Sequence, residues 1–229
     1  MAGHLNRAAN QPVPGVKRKL WRQDDDHAHL ADADFDGTRT KILQRDNYTC
    51  RFCSFKAAKY QEIHHLDDNH HNNDESNLLT VCNLCHMVHH VGMFAMNGSG
   101  FLAVVPELTQ TEVISIVRAI HVASHFADAT ARAKLTSLFA IFQHRGDILK
   151  QCFGKDGVDI SNPFNMANVL SMEAADGIYA KRAELLVHLR LIPSKEAFRA
   201  GQLEYYAVNN SPVFHPDNWL PFTRQLLYD

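Results

Sequence analysis

Two pairs of cysteines most restrict what this 229-residue chain can fold into. Cys50 and Cys53 form one Cys-x2-Cys pair, and Cys82 and Cys85 form a second. Two such pairs can present four thiolates tetrahedrally to one Zn2+, each pair making a tight turn around the ion. The spacing therefore predicts a structural zinc site in place of disulfides. The remaining cysteine, Cys152, stands alone, and we expect it to be a small buried hydrophobic residue.

The composition is that of an ordinary globular protein, with 45% hydrophobic residues and a net charge of −2. There is no run of ~18 uncharged apolar residues, and residues 1 to 15 lack the apolar core of a secretory signal. We therefore expect a cytoplasmic protein without membrane insertion. The chain also lacks the basic surplus of a dedicated DNA-binding protein, so nucleic acid is not the expected partner.

The first part of the chain predicts a short N-terminal region and a zinc-binding module. Residues 1–37 are polar and contain Pro and Gly, which indicates a tail with one short strand. Residues 38–105 contain both cysteine pairs and are expected to form the module. In chain order, we expect a strand over 16–23, a helix over 38–45, a strand near 60–66 and a polar loop over 67–76. The apolar segment 78–90 is expected to contain a helix that begins around the second cysteine pair, and a strand follows over 101–105, which Pro106 ends.

Helical patterns dominate the remainder of the chain, residues 106–229. Thr109 followed three residues later by Glu112 is a capping box, which predicts a helix start. We expect the whole region to be an all-helical module, and hence an α+β protein. The further helices are expected over 128–153 with Gly154 as C-cap, from Asn162 onward, over 174–191, and from Ser194 to Tyr206, with an ordered extension at the C-terminus.

The histidines near the second cysteine pair suggest a separate metal site. His86 and His90 are four residues apart, so on a helix their rings project from one face, a spacing suited to binding a metal together. Cys85 and His86 are consecutive and lie ~100° apart around a helix axis. Thiolates and histidines would therefore belong to two different sites. We expect His70, His71 and His89 to be exposed.

Three segments of the chain resemble the zinc-stapled HNH nucleases: RDNYTCRFC, EIHHL and SNLLTVCNLCHMVHH. The resemblance implies a ββα-metal fold and assigns roles to the histidines. His65 would be the general base, Asn77 would orient it, and His64, His86 and His90 would bind a second divalent metal. In such a site the neutral imidazole deprotonates the attacking water, and the metal stabilises the developing charge.

A longer stretch, residues 42 to 199, resembles the IcmJ (DotN) family of Icm/Dot type IVB secretion components. The segments that carry this resemblance are RDNYTCRFCSFKAAKYQEI, the asparagine pair at 72 and 73, SNLLTVCNLC, VPELTQTE and LIPSKEAFR. The resemblance implies an HNH-like zinc fold that serves assembly without nuclease activity. Its implied partner is the cytoplasmic tail of the coupling ATPase, through which the protein would be recruited to the inner membrane.

Charge bears on the choice between these two interpretations. Residues 61 to 117 contain no Lys or Arg, and binding of duplex DNA depends largely on neutralising phosphates with cations. Four zinc-bound thiolates add a net charge of about −2 to the same region. Cations that could form one wall of a DNA site lie just before it, at Arg39, Lys41, Arg45, Arg51, Lys56 and Lys59.

We therefore expect an HNH-like ββα zinc module followed by an all-helical module, acting as a cytoplasmic structural subunit of a type IVB coupling complex. An active, metal-dependent HNH endonuclease that uses His65 as its base is the alternative, because the chain retains the HNH histidines. A zinc-stapled module that binds nucleic acid without catalysis is disfavoured by the missing cations.

Overall fold

Helices and two small antiparallel sheets make up the computed structural model, which describes residues 11–16, 28–69, 72–153 and 159–215. The strands are β1 (Gln61–His65), β2 (Leu78–Cys82), β3 (Gly100–Val104) and β4 (Leu189–Pro193). The helices are α1 (Ala28–Arg45), α2 (Asn83–Val88), α3 (Val91–Met96), α4 (Gln110–Ala123), α5 (Ala129–Phe153), α6 (Pro163–Asn168), α7 (Asp176–Ala180), α8 (Arg182–Leu185), α9 (Gln202–Asn209) and α10 (Ser211–Phe214). This mixture fits the expected α+β class.

The first sheet pairs β1 with β2, and α2 follows β2 without a break. Gln61 lies opposite Cys82 and His65 lies opposite Leu78. The expected helix begins at Asn83, within the second cysteine pair as predicted, while the apolar residues 78 to 82 before it form a strand that pairs with β1. The apolar residues of LLTVC fit either period, so that sequence pattern does not separate the two structures.

The second sheet joins distant parts of the sequence, because β3 pairs with β4. The expectation of an all-helical second module is therefore wrong. In place of one helix over 174–191, the chain forms α7 and α8 and then β4, whose Leu191 and Ile192 are fully buried. Gly100 permits the pairing, since a Cβ there would lie 2.0 Å from the carbonyl oxygen of Ile192.

Helix α4 begins where the sequence predicts. The Thr109 side chain accepts a hydrogen bond from the Glu112 backbone, and Glu112 bonds back to the Thr109 N–H, which completes the capping box. Gln110 ties the helix to the second sheet, because its side chain donates to the Leu191 carbonyl and accepts from the Leu191 N–H. The long helix α5 lies where the sequence predicts a helix over 128–153. Its expected C-cap, Gly154, and the side chain of Cys152 lie outside the described residues.

Residues 11–16 lie against the helices that follow the second cysteine pair. Gly15 donates to the Val88 carbonyl and accepts from the Val91 N–H, each at 3.0 Å. The expected tail is therefore bound to the fold in this part, and most of the expected strand over 16–23 falls outside the described residues. Helix α1 also begins earlier than expected. Among the described helices, none is long and apolar enough to cross a membrane.

One hydrophobic core joins the two expected modules. A single cluster of buried residues contains Cys50 and Leu84 from the cysteine-bearing part together with Ile114, Leu149 and Leu191 from the later helices and strand. The position of the cysteines is therefore set by packing from both parts of the chain. The domain boundaries after residues 37 and 105 stay predictions.

Candidate metal centre

Two tight turns present the four cysteines. In the first turn, Cys50 donates its N–H to the Phe55 carbonyl at 2.9 Å, and Ser54 donates to the Cys50 carbonyl at 2.9 Å. In the second, Cys82 ends β2 and caps α2, because its sulfur accepts the Cys85 N–H at 3.5 Å. Each Cys-x2-Cys segment therefore bends its two sulfurs toward the same point.

The four sulfur atoms come together as the spacing predicts, all within 4.8 Å of one another. Sγ of Cys53 and Sγ of Cys82 are 3.7 Å apart, close to the ~3.8 Å edge of a tetrahedron with Zn–S bonds of ~2.3 Å and far longer than a disulfide of ~2.05 Å. In the parts of the chain that are described, this is the one such group of three or more metal-ligating side chains. The donor set is compatible with a closed, structural zinc site.

Because the cysteines are buried, their ionisation to thiolates depends on a nearby positive charge. Cys82 and Cys85 are fully buried, and burial raises the pKa of both thiols well above the usual value. Hydrogen bonds from Cys50 and then Cys82 instead hold the pKa of Cys53 well below it. Four thiolates cannot coexist here without a cation, and Zn2+ would supply that charge on binding.

Arg118 supplies a second positive charge at the same place, and we did not predict it from the sequence. Its Nη2 donates to Sγ of Cys82 at 3.2 Å and to Sγ of Cys53 at 3.4 Å. Burial lowers the pKa of Arg118, but the neighbouring sulfurs Cys53, Cys82 and Cys85 more than offset this, so its pKa is raised. The available signal was a lone arginine among apolar residues in an amphipathic helix.

The histidines divide between the two faces of β1. His64 stacks on His89 with ring centroids 4.2 Å apart and lies 5.3 Å from the His86 ring. Nε2 of His86 and Nε2 of His90 are 3.2 Å apart. His65 instead contacts the Asn73 side chain at 3.1 Å and stacks on the Phe35 ring. His86 thus lies beside both His64 and His90, although the three do not form a compact ligand group like that of the four cysteines, and the expected base, His65, contacts other neighbours.

His89 differs from the expectation of an exposed side chain. Its side chain is half-buried and its ring stacks on that of His64. The Phe52 ring lies beside it, with 5.4 Å between the ring centroids. The physical reason is that α2 ends at Val88, which makes His89 its C-cap residue, and the His89 ring packs on His64 of β1. The expected exposure of His70 and His71 falls outside the described residues.

A carboxylate holds His86 in place. Oε2 of Glu62 is 2.6 Å from Nδ1 of His86, and Arg199 pairs with the other oxygen of Glu62. Hydrogen bonding of this kind orients histidines at metal sites, and it equally serves as a structural ion pair. The second divalent metal expected at His64, His86 and His90 therefore stays a prediction.

Asn77 is engaged in the loop between β1 and β2. Its Nδ2 donates to Oδ1 of Asp67 at 2.8 Å and to the Asn72 carbonyl at 2.9 Å, and its Oδ1 accepts the Asp67 N–H at 3.2 Å. These three bonds close the loop, which accounts for the burial of this polar side chain. Orientation of His65 by Asn77 stays a prediction.

Comparison with known proteins gives one clear similarity. The type 4 apparatus protein DotN of Legionella pneumophila subsp. pneumophila is 33% identical to this chain over 185 residues. The aligned region covers 80% of this chain and 83% of that protein, so it includes both cysteine pairs and most of the later helices. No protein-family profile matches the chain.

Proposed function

The chain belongs to the DotN family of type 4 apparatus proteins, and from this premise we propose that it is a cytoplasmic structural subunit of a type IVB secretion coupling complex. In this role it binds the cytoplasmic tail of the partner ATPase, which recruits it to the inner membrane. An HNH-like zinc-stapled module at residues 38–105 shapes the scaffold. The observation that carries the proposal is the 33% identity over 80% of this chain and 83% of the Legionella protein.

The later part of the chain supplies a surface suited to a peptide partner. A groove of about 390 Å³ runs between α4 and α5 and is lined entirely by apolar or small side chains. Ile116, Leu138 and Ile141 in its walls are 38%, 50% and 53% exposed. Exposed apolar groups of this kind are typical of sites that accept the apolar side chains of a partner. We propose that the ATPase tail places apolar residues in this groove.

A binding measurement tests the proposal directly. The full chain is titrated into a fluorescently labelled peptide that covers the cytoplasmic tail of the coupling ATPase from the same secretion system. We expect saturable binding, and we expect Leu138→Glu to weaken it at least tenfold, since the charge would be desolvated in the groove. The matched control is Val208→Glu, at a 71% exposed position of α9 outside the groove, which should bind like the unmodified chain.

Absence of binding by the unmodified, folded chain would contradict the proposed partner. Equal weakening by both substitutions would contradict the groove as the docking site while leaving the partner in place.

A further inference from the structure

Arg118 places a full positive charge deep inside the protein. Helix α4 positions it, and its residue exposure is only 3%. A charge at this depth is stable only where opposite charge or hydrogen-bond acceptors surround it. The groups that balance Arg118 therefore indicate its role.

The balancing groups are sulfur atoms. Nη2 of Arg118 bridges Cys53 and Cys82 at 3.4 Å and 3.2 Å, and the two sulfurs are 3.7 Å apart. One nitrogen thus spans one edge of the sulfur tetrahedron. Among the ion pairs formed by residues in the described ranges, none joins Arg118 to a carboxylate.

An aromatic ring packs against the guanidinium. The central carbon of the Arg118 guanidinium lies 4.0 Å from the centroid of the Phe55 ring. Phe55 in turn packs its ring against Tyr206 and Phe214, at 4.9 Å and 5.8 Å between centroids. A planar cation stacks on such a face and still donates from its edge, which the ammonium of lysine does not do equally well.

Four thiolates and one Zn2+ together carry a net charge of about −2. A buried cation that donates hydrogen bonds to two of the thiolates offsets part of this charge and withdraws electron density from the sulfurs. We propose that Arg118 is the outer-sphere cation of the zinc site, which holds the four cysteines in their metal-binding form and makes retention of zinc depend on helix α4. Arg118 is thus a positioning residue that links the later helices to the metal centre.

The rate of zinc release tests this assignment. The zinc-loaded full chain is mixed with an excess of the chromogenic chelator 4-(2-pyridylazo)resorcinol, and the absorbance of the zinc complex is followed with time. We expect Arg118→Met to release zinc about tenfold faster or more, in the range seen for outer-shell partners of metal ligands. Arg118→Lys keeps the charge but not the planar donor that stacks on Phe55, so its release rate should lie between those of the unmodified chain and the Met variant.

The matched control is Arg145→Met, which removes a cation of α5 that pairs with Glu107 and not with a cysteine. It should release zinc at the unmodified rate. An unchanged rate in Arg118→Met, or a rate in Arg118→Lys as fast as in Arg118→Met, would overturn the proposal. If Arg118→Met does not fold, Arg118→Gln replaces it, and equal release by the Gln and Lys variants would then overturn the proposal.

A spectroscopic measurement separates this role from simple space filling. In the cobalt-substituted protein, the thiolate-to-cobalt charge-transfer band should move to lower energy when Arg118 becomes a neutral residue, because the sulfurs become more electron-rich. A side chain that only fills space would leave the band in place, and that result would contradict the assignment.

Discussion

The side chains of Asn83 and Gln202 form a reciprocal pair of hydrogen bonds across 119 residues of sequence. Nε2 of Gln202 donates to Oδ1 of Asn83 at 2.7 Å, and Nδ2 of Asn83 donates to Oε1 of Gln202 at 3.3 Å. Asn83 follows Cys82 directly, and Gln202 is the first residue of α9. The second cysteine turn is therefore tied to the C-terminal helices by a buried amide pair.

Replacing either amide should lower the free energy of unfolding, and the two losses should not add. Asn83→Leu and Gln202→Leu each take from the buried partner amide the hydrogen bonds of this pair, so we expect each to lower the free energy of unfolding by ~1–3 kcal/mol. The double variant should lose less than the sum, because the hydrogen bonds between the two amides are lost in each single variant and can be lost only once. Urea denaturation of the four proteins measures these energies. Additive losses would show that the two amides do not stabilise each other.

Features set by nearby residues were predictable from the sequence. The spacing of the four cysteines predicts the cluster because each pair needs only one local turn, and the Thr109 capping box predicts the start of α4 because both partners lie within one turn. Such signals do not depend on what the rest of the chain does.

Structure that depends on contacts between residues far apart in the sequence was not predictable in this way. The segment that forms β4 also fits a helical pattern, and only its pairing with β3 decides for a strand. Arg118 shows the same limit, because its partners Cys53 and Cys82 lie far away in sequence. The contact between His65 and Asn73, where Asn77 was expected, depends on the path of the intervening loop.

Loss of a single cysteine should remove the metal and destabilise the cysteine-bearing part. Cys82→Ser takes away one of four ligands, and structural zinc contributes on the order of ~10 kcal/mol of folding free energy. We expect less than one zinc per chain by mass spectrometry and loss of the cooperative thermal transition. Cys152→Ser should retain its zinc. A full complement of zinc in Cys82→Ser would contradict the four-sulfur site.

Gly100 should be intolerant of any side chain. A Cβ at this position would lie 2.0 Å from the Ile192 carbonyl oxygen, and the backbone φ of +148° disfavours side chains. Gly100→Ala should therefore lower the free energy of unfolding by ~2 kcal/mol or more. Gly37→Ala, inside α1 with open space around its Cα, should instead stabilise the chain by ~0.5–1 kcal/mol. Equal effects of both substitutions on thermal denaturation would argue against the β3–β4 pairing.

The stacked pair of His64 and His89 should make the fold sensitive to acid. Burial lowers the pKa of His89 to about 4, and burial together with the neighbouring histidines lowers the pKa of His64 to about 2. An unfolded histidine titrates near ~6.5, so below that pH the unfolded chain binds more protons. The free energy of unfolding should therefore fall as the pH decreases from 6.5, by ~2 kcal/mol per histidine at pH 5.

Denaturation of the zinc-loaded protein at pH 7, 6 and 5 checks this dependence. His89→Phe keeps a ring against His64 and removes one titrating group, so its loss over this range should be smaller by ~2 kcal/mol. His144→Phe, at an exposed position, should lose as much as the unmodified chain. An identical pH dependence in His89→Phe would contradict a neutral, buried His89.

A plasmid-nicking assay tests the alternative function, that of an active endonuclease. Duplex DNA would have to approach His64, His86 and His90, and the segment from 61 to 117 offers no Lys or Arg to neutralise phosphates. Arg199, which reaches this face, is already paired with Glu62. We therefore expect no nicking of supercoiled plasmid by the full chain with Mg2+, Mn2+ or Ni2+, under conditions in which a known HNH enzyme cleaves completely.

The variant His65→Ala distinguishes intrinsic activity from a contaminant in the same assay. Nicking that persists equally in both proteins comes from a contaminating nuclease, because a true general base at His65 is needed to deprotonate the attacking water. Nicking that disappears with His65→Ala would establish the endonuclease. The retained histidines would then be catalytic, and the structural-subunit proposal would have to accommodate an enzyme.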